Sequence, residues 1–303
     1  MINQIYDKVG SFCKNGNISS RFFGYKFREL LRSTELKERK RSINDIDFSN
    51  VSFKIDDEKG YHVINGPDVL DYIDDVISIS KEEFLKLDKH SIDWKSKDHL
   101  FSGVLDNYII DQDSPIIKFA LQRKLIIPII KYFGFVPVLS YVGTWYSPGK
   151  STEHTSSQLF HCDQADVRQI KVFVHCSDIT NQDGALNLID ASRSHDLRRK
   201  LSYRWDDETQ CVPDIKIEKH VARNNWISQE GKEGTVAFSD TSRCFHFGSR
   251  LNKNSNERLM MMFQFLSPCA FTLPANISSK LPFSEFDAKK FNKIEKQILG
   301  IGT

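Results

Sequence analysis

Phe160 to Cys176 reads FHCDQADVRQIKVFVHC, a histidine and a carboxylate followed at once by an apolar run of strand length. Side chains alternate between faces in an extended segment, so His161 and Asp163 share one side and Cys162 takes the other. The run from Gln169 alternates or stays continuously apolar over the length of a strand rather than at helical spacing. From Pro137 onward the same texture recurs in VLSYVGTWY, SQLFH, ALNLI, GTVAFSD, RCFHF and RLMMMFQFL, separated by turn-rich pieces such as SPGKSTEHTSS, TNQDGA and GSRLNKNSNE. This half of the chain therefore reads as many short antiparallel strands.

The first 135 or so residues differ. Apolar residues recur at helical spacing over Pro67 to Ile77, Lys81 to Leu87 and Ser114 to Phe133, with short strands expected at Phe53 to Ile55 and His62 to Ile64. Helices confined to one segment beside a run of strands argue for a double-sheet roll or barrel braced by helices. The expected organisation is one domain over 1–303: a helical part at 1–135, a β core at 136–268 and a C-terminal extension at 269–303. The irregular stretch 201–228 interrupts the β core and is the expected substrate cover, with Trp205 and Trp226 either closing on a substrate or pinning the loop to the barrel.

Composition excludes several classes. With 40% hydrophobic and 27% charged residues and a net charge of +2, the chain is neither disordered nor a polyanion binder, so no nucleic-acid partner is expected. The basic run Leu36 to Ser42 reads as a solvated face. The longest apolar run, LIIPII, is too short to span a membrane. Six scattered cysteines without CxxC spacing, and an N-terminus without a secretory core, predict a reducing, cytoplasmic compartment.

Two converging donors need a third to hold a metal. His246, at the end of the short run RCFHF before a glycine, is the best placed. Two histidines and a carboxylate leave open positions opposite, which suits non-haem Fe(II) and oxygen. Arg258 opens a strand apolar on both faces, and a buried guanidinium requires an anion. With Fe(II) present, the distal carboxylate of 2-oxoglutarate is the natural one, taken by the planar fork. The bland alternatives are a hydrogen-bonded histidine–aspartate couple at a strand end and an arginine at a solvated strand mouth. His175 either faces the pocket or is a satisfied structural histidine; His154 and His195 sit in loops or turns; Met260, Met261 and Met262 read as core packing.

The segment SQLFHCDQADVRQIKVFVHCSDITNQDGALNLIDASRSH, followed by EGTVAFSDTSRCFHFGSRLNKNSNERLMMMFQFLSP, resembles the phytanoyl-CoA dioxygenase family of Fe(II)/2-oxoglutarate-dependent oxygenases over roughly Val138 to Pro268. The resemblance implies an α+β fold with a mainly β core, a double-stranded β-helix of jelly-roll or cupin type with N-terminal and flanking helices. It matches His161, Asp163 and His246 to the iron ligands and Arg258 to the 2-oxoglutarate clamp. It matches Phe173 to an inward aromatic beside the co-substrate and Thr144 to a polar position that holds it. Phe160 stands where many relatives carry tryptophan, and DASRSH replaces the usual Pro-Gly-Ser-His turn. The implied activity uses O2 and 2-oxoglutarate, releases succinate and CO2, and hydroxylates a small-molecule substrate; Asp163 fills the position a halide would need, which favours hydroxylation over halogenation. Two alternatives stay open: a zinc or manganese hydrolase or isomerase, and a catalytically silent β-barrel that binds a sugar or lipid.

Overall fold

A computed structural model describes residues 2–49, 51–88, 102–147, 154–206, 209–252 and 257–302. Parts of two expected turn segments, 148–153 and 253–256, and residues 207–208 of the expected cover lie outside the described residues.

The chain opens with three helices, α1 (Ile2–Lys14), α2 (Ile18–Leu31) and α3 (Ser33–Arg41). Asn17 starts α2 by accepting the Ser20 N–H, and Gly24 lets α2 close onto Cys13 of α1, where a Cβ would collide with the thiol. The buried side of this array carries arginines alongside Tyr6, Cys13, Tyr25 and Leu36. Arg28, fully buried, donates to the carbonyls of Tyr6 (2.7 Å), Cys269 (3.0 Å), Ala270 (2.7 Å) and Leu273 (2.6 Å). Arg39 donates to the carbonyls of Val136 (3.1 Å) and Gln297 (2.9 Å) and pairs with Glu35 at 2.9 Å. Hydrogen-bonded guanidinium groups thus fasten the N-terminal helices to the C-terminal extension.

Next come β1 (Tyr61–Asn65), α4 (Gly66–Val69), α5 (Ile73–Lys86), β2 (Ser102–Gly103), α6 (Pro115–Leu121) and α7 (Arg123–Phe133). Two expected helices are each broken. The Pro67 to Ile77 pattern splits at Leu70–Tyr72, where Tyr72 takes φ 60°, and Ser114 to Phe133 splits at Gln122, whose side chain bonds the Asp71 backbone. Phe53 to Ile55 forms no strand; Phe53 instead stacks on His62 and packs against Phe238.

The β half supplies β3 (Val138–Ser147), β4 (Gln169–His175), β5 (Asn187–Leu188), α8 (Ala191–Lys200), α9 (Asp214–Glu218), β6 (Ile227–Ser228), β7 (Thr235–Ser239), β8 (His246–Phe247) and β9 (Arg258–Leu266), with α10 (Lys293–Leu299) after it. A six-stranded sheet in the order β1-β7-β4-β9-β3-β2 faces a three-stranded sheet, β6-β5-β8, and every pairing is antiparallel. This is a double-stranded β-helix with N-terminal and flanking helices. The large sheet obeys the alternation of strand side chains. Val172, Val174, Val236, Phe238, Met261 and Phe263 join the helices in the main core, while Lys171, Phe173, Met260 and Met262 point to the other face.

Residues 201–228 form a satellite core. Tyr203, Trp205, Val212, Ile217 and Val221 pack with Phe160, Phe245 and Phe247 of the smaller sheet region, and none of the described residues of 201–228 lines the central cavity. No disulfide joins the described cysteines. Among the described residues no helix is long and apolar enough to cross a membrane.

Candidate metal centre

The run SQLFH is a short 3-10 turn followed by isolated bridges rather than a strand. One bridge joins His161 to His246 of β8, with N–H to O distances of 3.0 and 2.9 Å, so the two rings stand side by side with centroids 4.2 Å apart. Each ring is oriented by its own chain. His161 Nδ1 bonds the Leu159 carbonyl at 2.9 Å, and His246 Nδ1 bonds the Cys244 carbonyl at 3.0 Å. A carbonyl can only accept, so both Nδ1 atoms carry the hydrogen and both Nε2 atoms present a lone pair.

Asp163 completes the group. Its Oδ1 lies 3.8 Å from His161 Nε2 and 3.9 Å from His246 Nε2, and the three donor atoms all fall within 4.8 Å of one another. Its Oδ2 is held by Lys171 Nζ at 2.8 Å and by Gln169 Nε2 at 2.6 Å, which turns Oδ1 toward the imidazoles. Behind it, Gln169 also reaches Thr241 Oγ1, and Trp205 Nε1 donates to the Asp163 carbonyl at 3.1 Å.

Electrostatics favour the metal-binding protonation states. Burial pushes both histidines down, His246 to about 3 with His161 beside it contributing, so both are neutral at pH 7. Burial alone would raise the Asp163 carboxyl, but Lys171 and the two histidines outweigh it and hold it well below the ordinary carboxylate range. Two neutral imidazoles and one ionised oxygen donor, each oriented by outer partners, fit a divalent first-row metal.

These side chains open onto a cavity of about 270 Å³ walled by Trp145, Phe173, Leu186, Met260 and Met262. Arg258 lines the same cavity. Its Nη1 donates to Ser249 Oγ at 2.7 Å and approaches Ser147 Oγ at 3.4 Å, while its buried Nε has no partner. The neighbouring Glu257 turns to Tyr146 Oη at 2.9 Å, and no carboxylate pairs with Arg258 among the described residues. Burial lowers the guanidinium only to about 10, so the charge remains at neutral pH.

The fold therefore brings His161, Asp163, His246, Arg258 and Phe173 to one cavity. It does not bring Thr144. Its hydroxyl lies 2.9 Å from Ser80 Oγ of α5 on the helix-facing side of the sheet, and Trp145 takes the inward position. A register shift in β3 between Leu139 and Tyr141 resets the alternation there. His175 is buried beside Arg258 without lining the cavity, and His154 and His195 are exposed. Sequence reading missed Lys171, Gln169, Ser249 and Trp145. Lys171 carried a usable signal, because it shares strand parity with the inward Phe173. Met261 is core, but Met260 and Met262 are cavity wall.

No family model matches the chain, and no curated protein matches it. Solved structures do. EctD from S. alaskensis in its apoform aligns with a TM-score of 0.51 at 16% identity, over 84% of this chain and 89% of that one. EctD from S. alaskensis with 2-oxoglutarate and 5-hydroxyectoine aligns with a TM-score of 0.50 at 16% identity, over 73% and 79%. HygX from Streptomyces hygroscopicus, with nickel and 2-oxoglutarate bound, aligns with a TM-score of 0.46 at 15% identity, over 70% and 84%. At these identities the likeness is one of fold.

Proposed function

We propose that the protein is an Fe(II)/2-oxoglutarate-dependent dioxygenase that hydroxylates a C–H bond of a small organic metabolite, and that it belongs with the phytanoyl-CoA dioxygenase-like enzymes. The observation that carries this reading is Arg258. Among the described residues it is a buried cation without an anion, in the same apolar cavity as two histidine lone pairs and a carboxylate oxygen. A buried, unpaired guanidinium is costly and calls for a ligand that supplies the charge. The fold shared with EctD, a structure of which contains 2-oxoglutarate, agrees.

In this reading His161 Nε2, His246 Nε2 and Asp163 Oδ1 hold Fe(II), and Lys171 and Gln169 keep Asp163 in place. Arg258 takes the distal carboxylate of 2-oxoglutarate, with Ser249 and Ser147 steadying the guanidinium. Phe173, Trp145, Met260 and Met262 exclude water and give the substrate an apolar wall. Bound iron with 2-oxoglutarate supplies the oxidising chemistry: O2 and 2-oxoglutarate become succinate and CO2 while one C–H of the substrate becomes C–OH. The protein contributes orientation, charge and dryness. A hydrolase is less well served, because the one carboxylate among the described cavity residues is Asp163, already tied to Lys171. Buried free thiols at Cys13, Cys162, Cys176, Cys244 and Cys269 accord with a reducing, cytoplasmic setting.

Anaerobic addition of Fe(II) and then 2-oxoglutarate should produce a weak visible charge-transfer band, absent in Asp163→Ala. A folded wild-type protein that binds Fe(II) without developing the band on adding 2-oxoglutarate would overturn the assignment.

A further inference from the structure

The outer side of the α1–α2 hairpin is apolar and uncovered. Ile2, Ile5 and Phe12 recur at helical spacing on α1, and Phe23, Phe27 and Leu30 do so on α2; Phe12 is 80%, Phe23 69% and Leu30 68% exposed. Both stripes flank the seam where Gly24 meets Cys13 and Val9, so they form one face. The helices beneath are not loosely held, since Arg28 alone makes four bonds to backbone carbonyls on their buried side. A rigid element presenting several exposed aromatic and aliphatic side chains together marks an interaction surface.

Charge indicates what it meets. Residues 1–41 contain ten Lys and Arg against four Asp and Glu, an excess of six, whereas the whole chain has an excess of two. Lys8 and Lys26 are exposed on the edges of the apolar face, Lys26 paired with Glu29 at 2.6 Å, and their long stems can lie along the face. On the far flank of α2 a second cavity of about 270 Å³ is lined by Phe22, Lys26, Arg21, Arg198, Asp166 and Ser242. Arg21 donates to the carbonyls of Lys14, Gln164 and Asp166, and Arg198 Nη1 to that of Arg243; neither forms an ion pair among the described residues, and among those residues the buried Ser242 hydroxyl has no partner. An isologous contact with a second copy would set these basic edges against themselves. An anionic lipid surface accepts both the hydrocarbon and the charge.

We propose that the α1–α2 hairpin docks the protein on an anionic phospholipid surface. The aromatic and aliphatic side chains enter the boundary between headgroups and acyl chains, and a lipid phosphate reaches the arginine-lined cavity beside Phe22.

The test is co-sedimentation of the full chain with phosphatidylcholine vesicles and with phosphatidylcholine–phosphatidylglycerol vesicles. Binding is expected on the second and not the first, and it should weaken as salt is raised. The double variant Phe23→Ser/Leu30→Ser, at exposed positions that leave the fold intact, should reduce the bound fraction about tenfold. Equal or absent binding to the two vesicles overturns the proposal. So does a dimer by light scattering that the double variant dissociates, which would assign the face to a second copy. Thermal protection by inorganic phosphate without vesicle binding would likewise overturn it, leaving an ion site alone.

Discussion

Arg28 under the N-terminal hairpin and Arg258 in the cavity are both buried guanidinium groups, and they are opposites. Arg28 ends on four carbonyls, and its charge is spread among fixed dipoles. Arg258 ends on serine hydroxyls and a sulfur, with Nε orphaned. The first is a fastener with four of its five N–H groups on carbonyls; the second faces a cavity that can take an added anion. Burial alone does not separate a structural cation from a functional one. The surroundings do: Arg28 ends on fixed carbonyls, whereas Arg258 faces a cavity with room for an anion.

That contrast can be broken by experiment. Arg28→Met should strand four carbonyls and destabilise the fold by about 3–5 kcal/mol, read as a fall in denaturant midpoint. Arg258→Met should leave stability unchanged or slightly raised, because an unpaired buried charge is removed. It should weaken 2-oxoglutarate about 100-fold through loss of a charge-assisted pair, measured by calorimetry of the metal-loaded protein. If both variants unfold alike, the distinction fails. Lys171→Met leaves Asp163 Oδ2 to Gln169 alone and should lower Fe(II) affinity about tenfold, measured by competition with a chelator.

The smallest effect concerns His175. Burial, with Arg258 adding to it, lowers this histidine from 6.5 to about 4. Between those values the unfolded chain takes up the proton first, so its contribution to stability is intact above pH 6.5 and lost as pH falls toward 4. Thermal midpoints at pH 7 and pH 5 should show the loss. In Arg258→Met the second cause is gone, His175 titrates higher, and its share of the loss should shrink.

Much of the cavity was legible because strand alternation is local. HCD puts two donors on one side whatever lies elsewhere, and an arginine at the head of RLMMMFQFL is conspicuous in any apolar run. Thr144 was matched by resemblance alone, and its hydroxyl faces Ser80 of α5 rather than the cavity. The 201–228 segment looked bare because its apolar residues are spaced irregularly, although they bury against Phe160 and Phe245. The basic run Leu36 to Ser42 read as a solvated face, yet Arg39 is buried, since nothing near it in sequence announces carbonyl partners at Val136 and Gln297. The split of Ser114 to Phe133 had a similar cause, in that Gln122 trades a helical turn for bonds to Asp71.

Those distant carbonyls impose an order in time. Arg28 and Cys269 are 241 residues apart, and Arg39 and Gln297 258 apart. During synthesis α1 to α3 are made more than 200 residues ahead of these acceptors. Until the acceptors emerge the hairpin lacks those partners, and both its sides face solvent or a chaperone. Such long-range closure slows folding. Removing the segment after Pro268 should therefore release the opposite end of the chain first, making the N-terminal helices the earliest target of a protease.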